Sequence, residues 1–278
     1  MRTIEEKARE IVGKVGELPP IPGVILESMR LLNDPSSTVK RIQEQILLDQ
    51  SLTAFILKVA NSALYGLRKE VSTVSYAVNL MGYNTTRAIL TAYLSKNLYR
   101  SGGSKLIRNI LWRHSISSAI LGKKIAGHLK TVNSEEAFIA CLLHDIGKGV
   151  LLKNRSDDFE KAVQLIYNDN KTSIRAEEEV LGYTHVEVGC LLMKNWRFSG
   201  SIIDTVIYHN HFSEYSGENL LVPIVSLANK LSHFLGFSFD KREDELIELP
   251  RLGIDESDME AIKEGAREEV NDYLEIFG

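Results

Sequence analysis

Apolar residues recur three and four positions apart along almost the whole chain, the spacing of one buried helix face. Ile4, Ala8, Ile11, Val12 and Val15 predict a first helix over 4–16, ended by the proline-rich turn at 18–22. Val24 to Leu32 predicts a second. After the turn at 33–37, Ser37 or Thr38 is placed to cap a third that holds Val39, Ile42 and Ile46. Ser51 is expected to cap the next, with Leu52, Phe55, Ile56 and Val59 on one face. Helices over 73–81 and 84–99 are separated by Gly82. Ser101-Gly102-Gly103-Ser104 is the clearest break. Beyond it the pattern predicts helices near 105–130, 134–147, 157–169, 173–181, 185–196, 199–209 and 220–236. No alternating run bounded by turn pairs predicts a strand.

An acidic connector is expected at Asp240–Glu248, followed by an amphipathic helix with Met259, Ile262, Ala266, Val270 and Leu274 on its apolar face. That face is expected to pack on the body or on a partner. The expected organisation is therefore all-α: a helical lobe over 1–102, a second helical lobe over 103–238, and a connector with a terminal helix over 239–278.

Composition narrows the class. The 278 residues are 44% hydrophobic and 25% charged, ordinary for a globular protein with a sizeable core. A net charge of −4, with Lys and Arg scattered, gives no general attraction to nucleic acid or to an anionic membrane. The start shows no apolar signal core, and no stretch approaches the ~20 apolar residues of a span. Cys141 and Cys190 lie in apolar helical surroundings, as thiols buried in a reducing cytosol would, although a single disulfide stays open. A cytoplasmic protein is expected.

The chemistry-bearing residues are concentrated in the second lobe. His144 and Asp145 are adjacent in Cys141-Leu-Leu-His-Asp-Ile-Gly-Lys148, at the end of an apolar helix. Imidazole nitrogen and carboxylate oxygen both suit first-row divalent metals, so the pair reads as half of a metal site. Gly147 is placed to close the helix in a left-handed conformation, leaving Lys148 at the rim where a phosphate could meet it. His114, His185, His209 and His211 complete a spaced set. Each has a plainer role as well. His114 suits a hydrogen-bonded core position, Asp145 a carboxylate at a helix N-terminus, and Lys148 a solvated helix-end cation. His185 reads more simply as the N-terminal hydrogen-bonding residue of its helix. Asn61, Ser62 and Tyr65 suit a helix-ending turn or a contact surface, and Trp112 and Trp196 suit core anchors.

Taken together, these residues resemble the HD superfamily of metal-dependent phosphohydrolases, and within it the HDOD group, a bacterial signalling module related to HD-GYP cyclic-dinucleotide phosphodiesterases. Supporting the HDOD resemblance are Leu18-Pro-Pro-Ile-Pro22, Leu47-Leu-Asp-Gln-Ser-Leu-Thr53, Ala60-Asn-Ser-Ala-Leu-Tyr-Gly66 and Ala77-Val-Asn-Leu-Met-Gly82. The resemblance runs over roughly 15–235. It implies His114, His144 and Asp145 as metal ligands, closed by the residue at 229, with His185 and His209 as candidates for a second ion. The ion would be Fe, Mn, Ni or Zn.

Three departures bear on activity. Asn229 stands where the family pattern has a closing aspartate. His209-Asn210 replaces a paired His-His, and Phe212-Ser-Glu-Tyr215 stands where the phosphodiesterases carry their Gly-Tyr-Pro segment. His211 can substitute for the missing histidine only if its helix has already ended. The resemblance therefore implies a non-catalytic regulatory module working through protein–protein contacts. No receiver or kinase segment adjoins it within these residues, so separate receiver, kinase or cyclic-dinucleotide proteins are the expected partners. The alternative is a phosphohydrolase acting on a nucleotide or cyclic dinucleotide, in which Asp145 and Lys148 would serve the reaction.

Overall fold

The structure is a computed structural model that describes residues 3–67, 69–239 and 249–277. The expected acidic connector lies outside the described residues. Among those residues the fold is all-α, with no strand. In chain order the helices are α1 (Ile4–Val15), α2 (Gly23–Asn33), α3 (Val39–Ile46), α4 (Gln50–Ala60) and α5 (Val74–Leu98). Then come α6 (Lys105–Leu129), α7 (Ser134–Leu143), α8 (Ile146–Asn154), α9 (Ser156–Asp169) and α10 (Ser173–Leu181). The last five are α11 (His185–Asn195), α12 (Gly200–Tyr208), α13 (Leu221–Phe234), α14 (Leu249–Leu252) and α15 (Glu256–Phe277).

Local chemistry explains most boundaries. Thr38, not Ser37, caps α3, with Oγ1 accepting from Arg41 N–H at 3.4 Å. α4 starts two residues earlier than the Ser51 cap predicts: Asp49, in extended backbone, accepts from Leu52 N–H at 2.9 Å. Such caps are worth roughly 1 kcal/mol each. α5 is a helical run broken at Gly82, whose φ of +76° is a conformation that glycine reaches without steric cost. Asn61 and Ser62 close α4 by bonding the backbone. The Asn61 amide pairs with Val71 N–H at 2.7 Å and Val71 C=O at 2.8 Å, and Ser62 Oγ donates to Val59 C=O at 2.7 Å.

The chain forms two compact units whose borders differ from those the sequence suggested. One comprises Met1–Pro20 and Lys96–Val270, the other Ile21–Ser95 and Asn271–Gly278. α1 belongs to the histidine-bearing unit because that unit satisfies the carbonyls that follow it. Trp196 Nε1–H donates to Pro19 C=O at 2.7 Å, and Asn154 Nδ2–H donates to Val15 and Glu17 C=O at 3.1 and 2.9 Å. In the second unit, Phe277 is fully buried with its ring 5.1 Å from that of Phe55.

In the histidine-bearing unit α6 is the central helix, buried over most of its surface and packed against α7 and α13. Gly122 permits the α6–α7 approach, since a Cβ there would lie 2.2 Å from Cys141 Sγ. α11 packs against α1, α8 and α12. The terminal helix buries Ile262, Ala266 and Val270 as its spacing predicts, and a 2.7 Å Lys124–Glu269 ion pair ties it to α6. Both cysteines are buried and free.

Candidate metal centre

The sequence predicts one helix through 134–147, but the structure divides it. Asn133 caps α7, which ends at His144, and Asp145 turns (φ −102°, ψ 13°) before α8 begins at Ile146. Apart from His144, Asp145 and Lys148, the residues from Ala137 to Leu152 are apolar, so periodicity carries little mark of the break. Gly147 does not end a helix in the left-handed region; it lies inside α8. Its role is close approach, because a Cβ there would sit 2.0 Å from His185 C=O. That approach sets the N-terminus of α11 against the His144–Asp145 turn.

Four imidazoles converge on Asp145, each through Nε2. His114 from α6 and His144 at the end of α7 both lie 3.5 Å from Asp145 Oδ2, with their own Nε2 atoms 3.2 Å apart. His185 at the start of α11 and His209 at the end of α12 lie 3.1 and 3.3 Å from Oδ1, with Nε2 atoms 3.4 Å apart. All five residues are buried. An ion ~2.1 Å from two imidazole nitrogens at a tetrahedral angle holds them ~3.4 Å apart. Both groups, His114–His144–Asp145 and Asp145–His185–His209, therefore have the spacing to hold a metal.

Every one of these rings is anchored from behind. His144 Nδ1 faces Cys141 C=O at 2.5 Å, and His209 Nδ1 faces Val206 C=O at 2.9 Å. His114 Nδ1 faces Phe237 C=O at 3.1 Å and Ser232 Oγ at 3.0 Å. His185 Nδ1 lies 2.6 Å from Glu177 Oε2, which also accepts the His185 backbone N–H at 2.7 Å. A carbonyl or carboxylate behind Nδ1 favours a proton there, so each ring, when neutral, turns its Nε2 lone pair inward.

Electrostatics separate the two groups. Burial pushes His114 well below the usual histidine range and His144 down to about 4, more than the Asp145 charge restores. Burial also lowers His209. Burial acts against the charged form of His185 too, but the Glu177 carboxylate and Asp145 outweigh it and raise that ring to about 8. Asp145 is held well below the carboxylate range despite its burial, by Lys148, His144 and His185.

Lys148 is not a solvated cation at a helix end. It stands in the first turn of α8 with Nζ 2.6 Å from Asp145 Oδ2, and its side chain is 13% exposed. His185 is both things the sequence allowed: the first residue of its helix, behind a Thr184 cap, and a ring aimed at Asp145. Asn229 on α13 is buried, its Oδ1 without a hydrogen bond among the described residues, and it lines a cavity of about 750 Å³. That cavity also presents Lys148, Arg175, Asn210 and His211. α12 ends at Tyr208, so His211 reaches the cavity wall but is not one of the converging imidazoles. His128 pairs instead with Asp258 at 3.5 Å.

Sequence reasoning missed two residues. Glu177 sits in a run of three glutamates whose other two members are exposed, so nothing local distinguishes it. Asn210, noted only as a replaced histidine, puts Nδ2 2.7 Å from His209 Nε2 and 3.2 Å from His185 Nε2.

The HDOD domain profile matches residues 18–212, well over half of the chain. The chain belongs to the HDOD family. The HDOD domain protein of unknown function from Geobacter sulfurreducens is 28% identical, with a TM-score of 0.80 over 97% of this chain and 94% of that one. A Shewanella amazonensis SB2B protein, named as a candidate phosphohydrolase, is 26% identical with a TM-score of 0.76 over 96% of each chain. An uncharacterised Treponema pallidum (strain Nichols) protein is 23% identical over 233 residues. That alignment takes in 82% of this HDOD chain but spans only 44% of the Treponema protein. No described helix is long and apolar enough to cross a membrane.

Proposed function

We propose that this HDOD protein is a regulatory signal-transduction module that holds a divalent first-row metal at Asp145 and does not turn over a phosphate ester. The observation behind the metal is the convergence of four anchored Nε2 atoms on one buried carboxylate. Two buried oxygens fit the same reading, since Asp145 Oδ1 and Asn229 Oδ1 both lack a hydrogen bond among the described residues. Imidazole, carboxylate and carboxamide donors suit Fe, Mn, Ni or Zn.

Support for a regulatory role comes from the charge of the donor set. Asp145 is the one carboxylate facing the four Nε2 atoms among the described residues, and Lys148 already pairs with it. Two divalent ions ~3.7 Å apart repel by on the order of 20 kcal/mol at an effective dielectric of 20. One carboxylate bearing a lysine offsets little of that, so the centre suits one ion. Such an ion, when bound, can act as a Lewis acid and lower the pKa of water. The residues themselves hold ring orientation and keep bulk water off the buried donors. Separate receiver, kinase or cyclic-dinucleotide proteins would supply the signal.

A second reading, hydrolysis of a nucleotide or cyclic dinucleotide, is favoured by the cavity that adjoins the centre and carries Lys148 and Arg175. The name given to the Shewanella relative points the same way. Metal content by plasma mass spectrometry on untagged protein, with His144→Ala and His185→Ala as controls, tests the first part. About one ion per chain is expected, and an ion-free protein with intact fold sinks the metal reading. Hydrolysis of bis(p-nitrophenyl) phosphate and of a cyclic dinucleotide tests the second. No turnover is expected; turnover abolished by Asp145→Asn replaces the regulatory reading with the hydrolytic one.

A further inference from the structure

We infer that the resident ion sits on the His185–His209 side of Asp145, with the Asn210 side-chain amide oxygen as an additional ligand, and not on the His114–His144 side. This rests on the metal reading above and assigns the place of the ion within it. Three observations on the two sides of the carboxylate lead there.

The first is which carboxylate oxygen is free. Asp145 Oδ2, facing His114 and His144, is taken by Lys148 Nζ at 2.6 Å. Oδ1, facing His185 and His209, is buried and makes no hydrogen bond among the described residues, although two Nε2 atoms lie within 3.3 Å of it. An acceptor oxygen pressed against two imidazole nitrogens is unfavourable unless a proton or a cation lies between them.

The second is the charge behind the rings. His185 is backed by the Glu177 carboxylate, whereas backbone carbonyls and the Ser232 hydroxyl back His114 and His144. A carboxylate behind an imidazole makes it a more basic ligand and brings a negative charge near the ion. The His114–His144 side has Lys148 instead, a positive charge at contact distance from the same oxygen the ion would need.

The third is the spare donor. Asn210 stands at the cavity wall with its amide against both Nε2 atoms of this side, at 2.7 and 3.2 Å. Oxygen and nitrogen of a side-chain amide differ only by a 180° turn. With the nitrogen inward, Asn210 donates to bare lone pairs; turned over, its Oδ1 joins Asp145 Oδ1 and the two imidazoles as a fourth donor. A set of two nitrogens and two oxygens is ordinary for Zn, Fe or Mn. Access is common to both sides, because Asn210, Lys148 and Asn229 all line the 750 Å³ cavity.

The test is titration of the metal-free full chain with Co²⁺, read by calorimetry and by the visible d–d bands, with melting curves to confirm that each variant folds. His209→Ala is expected to weaken binding about 100-fold and Glu177→Gln about tenfold, while His114→Ala changes it less than about threefold. Asn210→Ala should weaken binding about tenfold, and Asn210→Asp should tighten it and shift the bands. The Asn210 variants alter an exposed side chain, so they keep the inference testable even if His209→Ala does not fold. Equal or greater loss in His114→Ala, with silent Asn210 variants, overturns the placement and leaves the metal reading standing. A wild-type chain that takes up no Co²⁺ removes both.

Discussion

The two sides of Asp145 are built from similar parts and differ in what stands behind them. Each offers two buried imidazoles and one carboxylate oxygen at comparable distances. On one side a lysine neutralises the oxygen and neutral groups hold the rings. On the other the oxygen is orphaned and a buried glutamate backs one ring. Matching ligand distances therefore do not imply matching sites: charge one shell out separates them. A histidine–aspartate pair retained beside a lysine is weaker evidence for an ion than the less conspicuous histidines across from it.

The largest effect should come from removing what the sides share. Asp145→Ala is expected to abolish metal binding and leave Lys148 without its partner, lowering stability by about 3 kcal/mol. Metal titration and urea unfolding read both, and a variant that still binds an ion tightly would break the picture of a shared carboxylate. Next is a pair of glycine substitutions that disturb one side each. Gly147→Ala drives a Cβ against the His185 carbonyl, which belongs to backbone, and should cost about 3 kcal/mol while weakening metal binding. Gly122→Ala presses on the Cys141 side chain, which can rotate, and should cost about 1 kcal/mol with little change in metal binding. The reverse order would mean that the His114–His144 side carries the ion.

The smallest and sharpest effect concerns Lys148. Lys148→Met frees Asp145 Oδ2 and should raise affinity on the His114–His144 side by about tenfold, seen as a partial recovery of Co²⁺ binding in the His209→Ala background. No recovery would show that the lysine is not what disfavours an ion on that side.

Much of the fold was legible because helix periodicity reports burial directly. The spacing of Ile262, Ala266 and Val270 predicted the buried face of α15, and Gly82 announced the break in α5. The division at His144–Asp145 was not legible, since from Ala137 to Leu152 only His144, Asp145 and Lys148 are polar, too few to show a shift of phase. The unit borders were missed for a related reason: Trp196 and Asn154 bind carbonyls more than a hundred residues away, which no local pattern records.

The sequence by itself determined the family, the all-helical class and the residue types able to meet a metal: His114, His144, Asp145, His185, His209 and Asn229. The class follows from spacing, and the family and the ligand set from the resemblance that motif order carries, all properties of residues near one another in the chain. The tertiary structure alone decided that four imidazoles converge on Asp145, that Lys148 holds one of its oxygens, and that Glu177 and Asn210 stand on the other side. Those relations join α6, α7, α8, α10, α11 and α12, and interactions of a few ångströms between distant segments exist only once packing has brought the segments together.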